Sequence, residues 1–167
     1  CIRDRPMVVA LNVFVTDTEK ELAFLEEWAR EQGVEFSRTE VWEKGGLGGI
    51  DLAEKVVKAV EGNDKELQLL YKDEASITEK IETVCREIYG ADGVNFSDEV
   101  KAEIERIERL GFKDLPVCMA KTPASLTDNA KVKGRPTGFN ITINDVKLRS
   151  GAGFVVAYAN KVLTMPG

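Results

Sequence analysis

The sequence MVVALNVF at residues 7–14 is a continuous apolar run, and it decides the predicted fold. An uninterrupted run is typical of a parallel strand that is buried on both faces, whereas a half-exposed strand alternates apolar and polar residues. The segment TDTE at 16–19 follows directly, and it predicts the start of a helix because Thr16 and Glu19 have the spacing of a capping box. Residues 34–42 then alternate, which predicts a second strand that ends at Trp42.

A glycine-rich segment, GGLGG at 45–49, leads from this second strand into an amphipathic helix that begins at Ile50. The order strand, helix, strand, helix predicts a right-handed crossover between parallel strands. We therefore expect an α/β fold of three layers, in which a mainly parallel sheet is flanked by helices. Residues 7–14 and 34–42 are expected to be neighbouring strands of that sheet.

The rest of the chain continues the alternation and then changes character. An apolar patch at 67–71 is compatible with a short strand, but the pattern alone does not decide this. The other predicted elements are a helix from a capping box at 76–79 to about 89, a turn and strand at 90–96, a helix from 97 to 111 and a buried strand at 115–120. Thr, Pro, Ser, Asn, Asp and Gly then dominate, which is typical of a long loop. The sequence thus suggests an α/β domain over 1–120, a loop over 121–137 and a β-rich segment over 138–167, the last as part of the same domain or as a small lobe.

Composition excludes several classes of protein. The 167 residues include 23 basic and 29 acidic side chains, so a net charge of -6 makes nucleic acid an unlikely main partner. Histidine is absent, which removes Ser-His-Asp and Cys-His chemistry and the commonest zinc ligand. No apolar run approaches the roughly 18 residues of a membrane span, and three widely spaced cysteines favour a reducing cytoplasm over a disulfide framework. We expect neither a membrane nor a metal site.

Two aromatic residues stand at the predicted carboxyl ends of neighbouring strands. Phe14 ends the first strand and Trp42 ends the second, so a parallel sheet would bring both to the edge where open α/β folds bind ligands. Two rings that face each other there would form a slot for a flat heterocycle. The alternative is that both rings only pack in the core or under a loop.

The glycine segment and the long loop offer two weaker signals. Gly45 to Gly49 at a helix start can bring backbone amides close to an anion, with Lys44 beside them, although a tight turn needs the same small residues. The chain contains no G-x-x-x-x-G-K-[ST] motif, so this segment is not a standard triphosphate site. Lys121 and the loop after it could add positive charge to a pocket, or the loop could be simply solvated.

The motifs taken together resemble the formate–tetrahydrofolate ligases, also called 10-formyltetrahydrofolate synthetases. They occur in one unbroken order from Pro6 to the last residue: VVALNVFVTDTE (8–19), EVWEKGGLGG (40–49), KIET (80–83) with IYGADGV (88–94), LPVCMAKT (115–122), PTGF (136–139), GAGF (151–154) and TMPG (164–167). Seven motifs at consistent spacing are far more specific than one glycine loop.

The resemblance implies an ATP-dependent ligase of one-carbon metabolism that makes formyl phosphate and passes the formyl group to N10 of tetrahydrofolate. It implies Mg²⁺ with the ATP and adds a monovalent cation as a further candidate. It also implies that Phe14 and Trp42 sandwich the pterin ring beside the glycine segment. The substrate-binding residues expected on this basis are Asn12, Phe14, Trp42, Lys44, Gly45 and Gly46.

In that family the phosphate-gripping loop lies in an earlier, larger domain, so the sequence resembles the later part of a homo-oligomeric enzyme. On this reading the chain is a cytoplasmic fragment that lacks the N-terminal ATP-binding domain and is inactive alone. The alternative is a binding or assembly module that keeps the fold without turnover. Val13 and Val15 favour that alternative, because the family usually has a basic residue and a proline there.

Overall fold

A computed structural model of the chain describes residues 6–63 and 68–159, which fall into two compact units. The first unit reaches Gln68 and the second begins at Leu69. The division of the chain that the sequence suggests, at 120 and 137, stays a prediction. The TMPG motif and the first residue of the apolar patch at 67–71 lie outside the described residues, and residues 68–71 form no strand.

Within residues 6–63, the first unit contains a two-stranded parallel sheet and three helices. Its elements are β1 (Val8–Asn12), α1 (Glu19–Glu31), β2 (Glu35–Thr39), α2 (Val41–Lys44) and α3 (Ile50–Glu61). The register of the sheet runs from Val8 opposite Glu35 to Asn12 opposite Thr39. The predicted parallel pairing of these two strands is therefore confirmed.

β1 is less buried than its apolar sequence predicts. Ala10 and Asn12 are exposed, and the other three residues of the strand are half-buried. Within residues 6–63, β1 pairs with β2 alone, so the described unit does not enclose the strand. The expectation of a strand buried on both faces is wrong here, because two strands and their helices bury few side chains. The buried residues of this described unit are Leu22, Ala29, Ser37 and Thr39.

The capping box of α1 lies two residues after the predicted position. Thr18, not Thr16, is the N-cap: the Glu21 amide donates to Thr18 Oγ1, and the Thr18 amide donates to Glu21 Oε2 at 3.0 Å. The sequence TDTEKE contains the capping-box spacing twice, so the pattern alone does not choose between them. Thr16 is displaced from the role because it lies in the turn that follows β1.

β2 ends three residues earlier than predicted, so Trp42 lies on a helix and not at the end of a strand. The backbone turns at Glu40, whose amide donates to Gly48 O at 3.0 Å and whose carbonyl accepts from the Lys44 amide at 2.8 Å. The second of these bonds closes the single turn of α2. The prediction extended the strand to Val41 and Trp42, although four consecutive polar residues at 37–40 already end the alternation.

The second unit contains two helices and five strands within residues 69–159. They are α4 (Ile77–Glu87), β3 (Gly93–Phe96), α5 (Asp98–Ile107), β4 (Val117–Lys121), β5 (Asn140–Ile143), β6 (Asp145–Arg149) and β7 (Phe154–Ala159). β3 pairs with β5 in parallel, and β7 lies between parallel β4 and antiparallel β6. The predicted α/β fold with mostly parallel strands, flanking helices and a β-rich C-terminal part is confirmed, although the described strands form three small sheets.

Residues 138–146 alternate polar and apolar side chains as a single strand would, but they pair with two different sheets. Asn140–Ile143 pairs with β3, whereas the chain from Asp145 onward pairs with β7. Asn144 lies between them, and its amide donates to Tyr158 O at 2.8 Å. The predicted capping box at Ser76 is confirmed, since Ser76 Oγ accepts from the Glu79 amide and Glu79 Oε2 accepts from the Ser76 amide.

The core of the second unit combines aliphatic side chains with one buried lysine. Its fully buried aliphatic residues come from both helices and from β5, β6 and β7: Ile77, Ile81, Ile107, Ile141, Ile143, Val146 and Val155. Lys80 is also 0% exposed. Its ammonium donates to Lys113 O at 2.9 Å and to Leu115 O at 3.1 Å. The same ammonium lies 5.9 Å from the centre of the Tyr71 ring. Burial lowers the pKa of Lys80. This lysine ties α4 to the chain that enters β4.

Within residues 6–63 and 68–159, no helix has both the length and the apolar character needed to cross a membrane.

Candidate functional site

The carboxyl ends of β1 and β2 lie level with each other in the first unit. The Val13 amide donates to Thr39 O at 2.8 Å, which extends the ladder by one bond beyond β1. Thr39 Oγ1 donates back to Leu11 O at 3.1 Å. Phe14 therefore leaves the sheet directly after the last of these bonds, and Trp42 follows the end of β2 by three residues.

The Phe14 and Trp42 rings contact each other at this edge. Their centroids are 6.4 Å apart, and their planes meet at 47°. This distance is within the range of direct aromatic pairs. Phe14 is 46% exposed and Trp42 is 69% exposed, so the pair is a surface feature and not part of a core. The structure shows a closed pair of rings rather than an open slot.

A flat heterocycle between the two rings needs them farther apart. Carbon atoms in contact are about 3.5 Å apart, so two rings on opposite faces of one plane lie about 7 Å apart and nearly parallel. The observed centroid distance of 6.4 Å is shorter than that separation, and the ring planes are tilted by 47°. Only a small separation and a rotation are required, and the exposure of both rings leaves space for them.

The backbone of Phe14 is held by Asp17. The Phe14 amide donates to Asp17 Oδ2 at 2.8 Å, and the Asp17 amide donates to Phe14 O at 3.0 Å. These two bonds close a four-residue turn between β1 and α1. They fix the point from which the Phe14 side chain leaves the chain.

The helix that carries Trp42 is held by close backbone contact with the glycine segment. Gly45–Gly49 forms a 3₁₀ turn that leads directly into α3. A Cβ on Gly48 would lie 2.4 Å from Glu40 O, which is closer than any real contact. The conformational need for glycine also holds at Gly45, where φ is 57°. By contrast, a Cβ on Gly46 would meet nothing within 4 Å.

The remaining predicted binding residues lie close in sequence to the ring pair, and their role stays a prediction. Lys44 is paired with Glu40: its ammonium lies 2.6 Å from Glu40 Oε2, and this hydrogen bond raises its pKa. An anion beside the glycine segment would therefore compete with a carboxylate for Lys44. Asn12 is exposed at the end of β1.

A surface depression of about 550 Å³ lies beside this edge of the first unit. It is lined by Leu11, Asp17, Lys20, Glu21, Leu22, Phe24 and Leu25. Neither ring of the pair is among these residues, although Asp17 belongs to both features. The depression is thus a second location that a planar ligand could use, and experiments on the ring pair need to distinguish the two.

Lys121, which the sequence offered as a source of positive charge, is used within its own loop. Its ammonium donates to the carbonyls of Thr122, Ser125 and Thr127 and lies 4.8 Å from the centre of the Tyr89 ring. Burial lowers its pKa. The structure therefore gives Lys121 the role of holding the loop after β4.

The comparison with known families concerns nearly the whole chain. The family model described as formate–tetrahydrofolate ligase matches residues 3–167. The chain belongs to the formate–tetrahydrofolate ligase family. Membership implies that the whole ligase uses formate, tetrahydrofolate and ATP in one-carbon metabolism. The resemblance seen in the sequence motifs is confirmed.

Neither a cluster of metal-ligating side chains nor a standard triphosphate loop is found in the part of the chain that the structure describes. No group of three or more Asp, Glu or Cys side chains that could hold a metal ion occurs within residues 6–63 and 68–159. The sequence also lacks the G-x-x-x-x-G-K-[ST] motif.

Sequence reasoning missed the two residues that support the ligase's ring pair. Asp17 was assigned to a capping-box segment, and Gly48 was one of five residues in a glycine-rich stretch. A signal for Asp17 did exist, because Asp at the end of a tight turn often accepts from a backbone amide. Nothing in the sequence distinguishes Gly48 from Gly46, because the approach of Glu40 is a tertiary contact.

Proposed function

We propose that the first unit supplies the pterin-binding part of the tetrahydrofolate site of a formate–tetrahydrofolate ligase. In the whole enzyme, ATP would transfer its γ-phosphoryl group to formate, giving formyl phosphate and ADP. N10 of tetrahydrofolate would then attack the formyl carbon and displace phosphate, with loss of the N10 proton, to give 10-formyltetrahydrofolate. The task of this unit in that reaction is binding and orientation. The residues that hold ATP and Mg²⁺ are proposed to lie outside the described part of the chain.

The observation that carries the proposal is the exposed Phe14–Trp42 pair. An exposed aromatic pair beside the carboxyl ends of two parallel strands contributes little to a core, yet its rings are close enough for a sandwich to form from them. The pterin ring is planar and offers two faces. Stacking each face on one aromatic ring contributes about 0.5 to 1.5 kcal/mol beyond the burial of apolar area.

The backbone around the pair suits an orienting role. Phe14 is fixed by the turn with Asp17, and α2 is fixed by the contact between Glu40 and Gly48. Rings mounted on fixed backbone confine the pterin to one plane. N10 is attached to the pterin through one methylene group, so confining the pterin also confines N10 to a small volume. Orientation of this kind accounts for much of the rate gained by bringing two reactants together.

The proposal is tested by titrating the chain with tetrahydrofolate under anaerobic conditions and following Trp42 fluorescence. A Trp28→Phe variant leaves Trp42 as the only tryptophan. We expect saturable quenching, because a stacked heterocycle covers the indole ring. A matched Trp42→Phe variant keeps an aromatic ring at the site and leaves Trp28 as the only reporter, and its emission should change only by the absorbance of the ligand. Equal, non-saturating changes in both variants would contradict the proposal.

A further inference from the structure

We propose that Asp17 and Gly48 are the positioning residues of the ring pair: Asp17 sets where Phe14 leaves the sheet, and Gly48 sets where α2 holds Trp42. The consequence for ligand binding rests on the function proposed above. The consequence for the geometry of the two rings does not, because it concerns the protein alone.

Asp17 holds the backbone of Phe14 just beyond the last hydrogen bond of the sheet. The last bond between the two strands is made by the Val13 amide, so the Phe14 amide and carbonyl have Asp17 as their hydrogen-bond partner instead of β2. The cap of α1 does not depend on Asp17, since Thr18 and Glu21 make that capping box by themselves. The Asp17 carboxylate thus has a local task that can be removed without removing the helix cap.

Gly48 acts on Trp42 through Glu40. The Glu40 amide donates to Gly48 O, and the Glu40 carbonyl accepts the Lys44 amide that closes α2. The position of a Cβ on residue 48 lies 2.4 Å from Glu40 O and 2.5 Å from its carbonyl carbon. These atoms are backbone and cannot rotate away, so any side chain at this position must move the start of α2 and with it the Trp42 ring.

The two contacts are independent, and each controls one ring. A ring that is present but displaced by a fraction of its own width loses overlap with its partner and with any heterocycle placed between them. Positioning therefore makes a prediction that differs from that of a purely structural role. Disturbing either contact should change the ring geometry and the ligand affinity. A variant that only lowers the free energy of unfolding should change neither of them.

The Asp17 arm compares Asp17→Ala, Asp17→Asn and Thr18→Ala in the Trp28→Phe background. The near-ultraviolet circular dichroism of Trp42 reports its coupling to Phe14, and we expect Asp17→Ala to change this band toward that of Phe14→Ala. Asp17→Asn should restore it, because the asparagine side-chain oxygen still accepts from the Phe14 amide. Thr18→Ala should lower the melting temperature through loss of the helix cap while leaving the band unchanged.

The Gly48 arm compares Gly48→Ala with Gly46→Ala. The added methyl group is the same, but it meets Glu40 O in the first variant and open space in the second. We expect Gly48→Ala to change the Trp42 band and to weaken tetrahydrofolate binding about tenfold, as loss of most of one stacking contact would. Gly46→Ala should leave the Trp42 band of the ligand-free protein as it is in the parent, because its methyl group meets no atom within 4 Å. If Gly48→Ala fails to fold, the Asp17 arm carries the test on its own.

The dichroism and the affinity separate the two proposals. Unchanged Trp42 bands in both Asp17→Ala and Gly48→Ala would overturn the positioning roles, whatever the affinity. Changed bands in a parent protein that shows no saturable binding of tetrahydrofolate would support the positioning roles and contradict the proposed function. Changed bands with unchanged affinity would show that the ring pair is not where the ligand binds.

Discussion

Trp42→Ala is expected to weaken tetrahydrofolate binding by about 5- to 150-fold, because stacking of a heterocyclic base on one aromatic side chain is worth about 1 to 3 kcal/mol by alanine substitution. The free energy of unfolding should change by no more than about 0.5 kcal/mol, because Trp42 is 69% exposed and belongs to a helix of one turn. Equilibrium dialysis gives the affinity without a fluorescent reporter, and denaturant titration gives the stability.

The matched control is Phe24→Ala. Phe24 has the same 69% exposure as Trp42 but lines the neighbouring depression and not the ring pair. The proposed site predicts that Phe24→Ala binds tetrahydrofolate as the parent does and that Phe14→Ala resembles Trp42→Ala. The reverse pattern, with loss of binding in Phe24→Ala alone, would place the ligand in the depression.

Lys80→Ala is expected to destabilise the second unit by more than about 3 kcal/mol. The substitution removes a long buried side chain and leaves two carbonyl groups, those of Lys113 and Leu115, without the ammonium that donates to them. Cavities from comparable truncations cost about 2 to 5 kcal/mol, and each buried acceptor left unsatisfied adds about 1 to 3 kcal/mol unless water reaches it. Chemical denaturation followed by far-ultraviolet circular dichroism measures the loss.

Two control variants separate volume from hydrogen bonding at this position. Lys80→Met keeps most of the volume and should cost less than Lys80→Ala, while Lys101→Ala removes an exposed lysine from a neighbouring helix and should cost less than about 0.5 kcal/mol. A Lys80→Met protein as stable as the parent would show that the two carbonyl bonds contribute no more than the burial of the ammonium costs.

The same lysine predicts a pH dependence with a defined sign. Burial lowers the pKa of Lys80 in the folded state below its value in the unfolded chain. Between the two pKa values the unfolded state binds more protons, so the Lys80 contribution to the free energy of unfolding rises with pH across that interval. Lys80→Met lacks this rise, and the difference between the two proteins isolates it from the other lysines.

Local rules predicted the fold wherever one short segment determines the outcome. The alternation of strands and helices required a parallel pairing of residues 7–14 and 34–42, and β1 and β2 pair in that way. The capping box at Ser76 and the helix after Ser97 were also found, because each N-cap hydroxyl accepts from an amide only three residues away.

The same rules failed where a contact between distant residues decides the structure. The predicted second strand ran through Trp42, but the backbone turns at Glu40 because Gly48 allows a close approach eight residues away. The run at 138–146 reads as one strand, yet its two halves follow different partners, β3 and β7. Neither partner is visible in the pattern of the run itself.

In the candidate site, one feature could be predicted from the sequence and others could not. Phe14 and Trp42 could be selected from the sequence because each follows the end of a strand that has a parallel neighbour. The closed geometry of the pair and the roles of Asp17 and Gly48 could not, because ring separation depends on turns of a few residues whose exact path no periodicity encodes. The identity of the heterocycle rests on the family and not on the two rings.

The central claim, that a pterin binds between Phe14 and Trp42, is tested most directly by a crystal structure of the chain with tetrahydrofolate bound. The account predicts electron density for the pterin between the two rings, with the centroid distance increased from 6.4 Å to about 7 Å and the 47° angle between the planes reduced toward zero. A pterin bound elsewhere in the protein, with the two rings still in contact at their present distance and tilt, would contradict it.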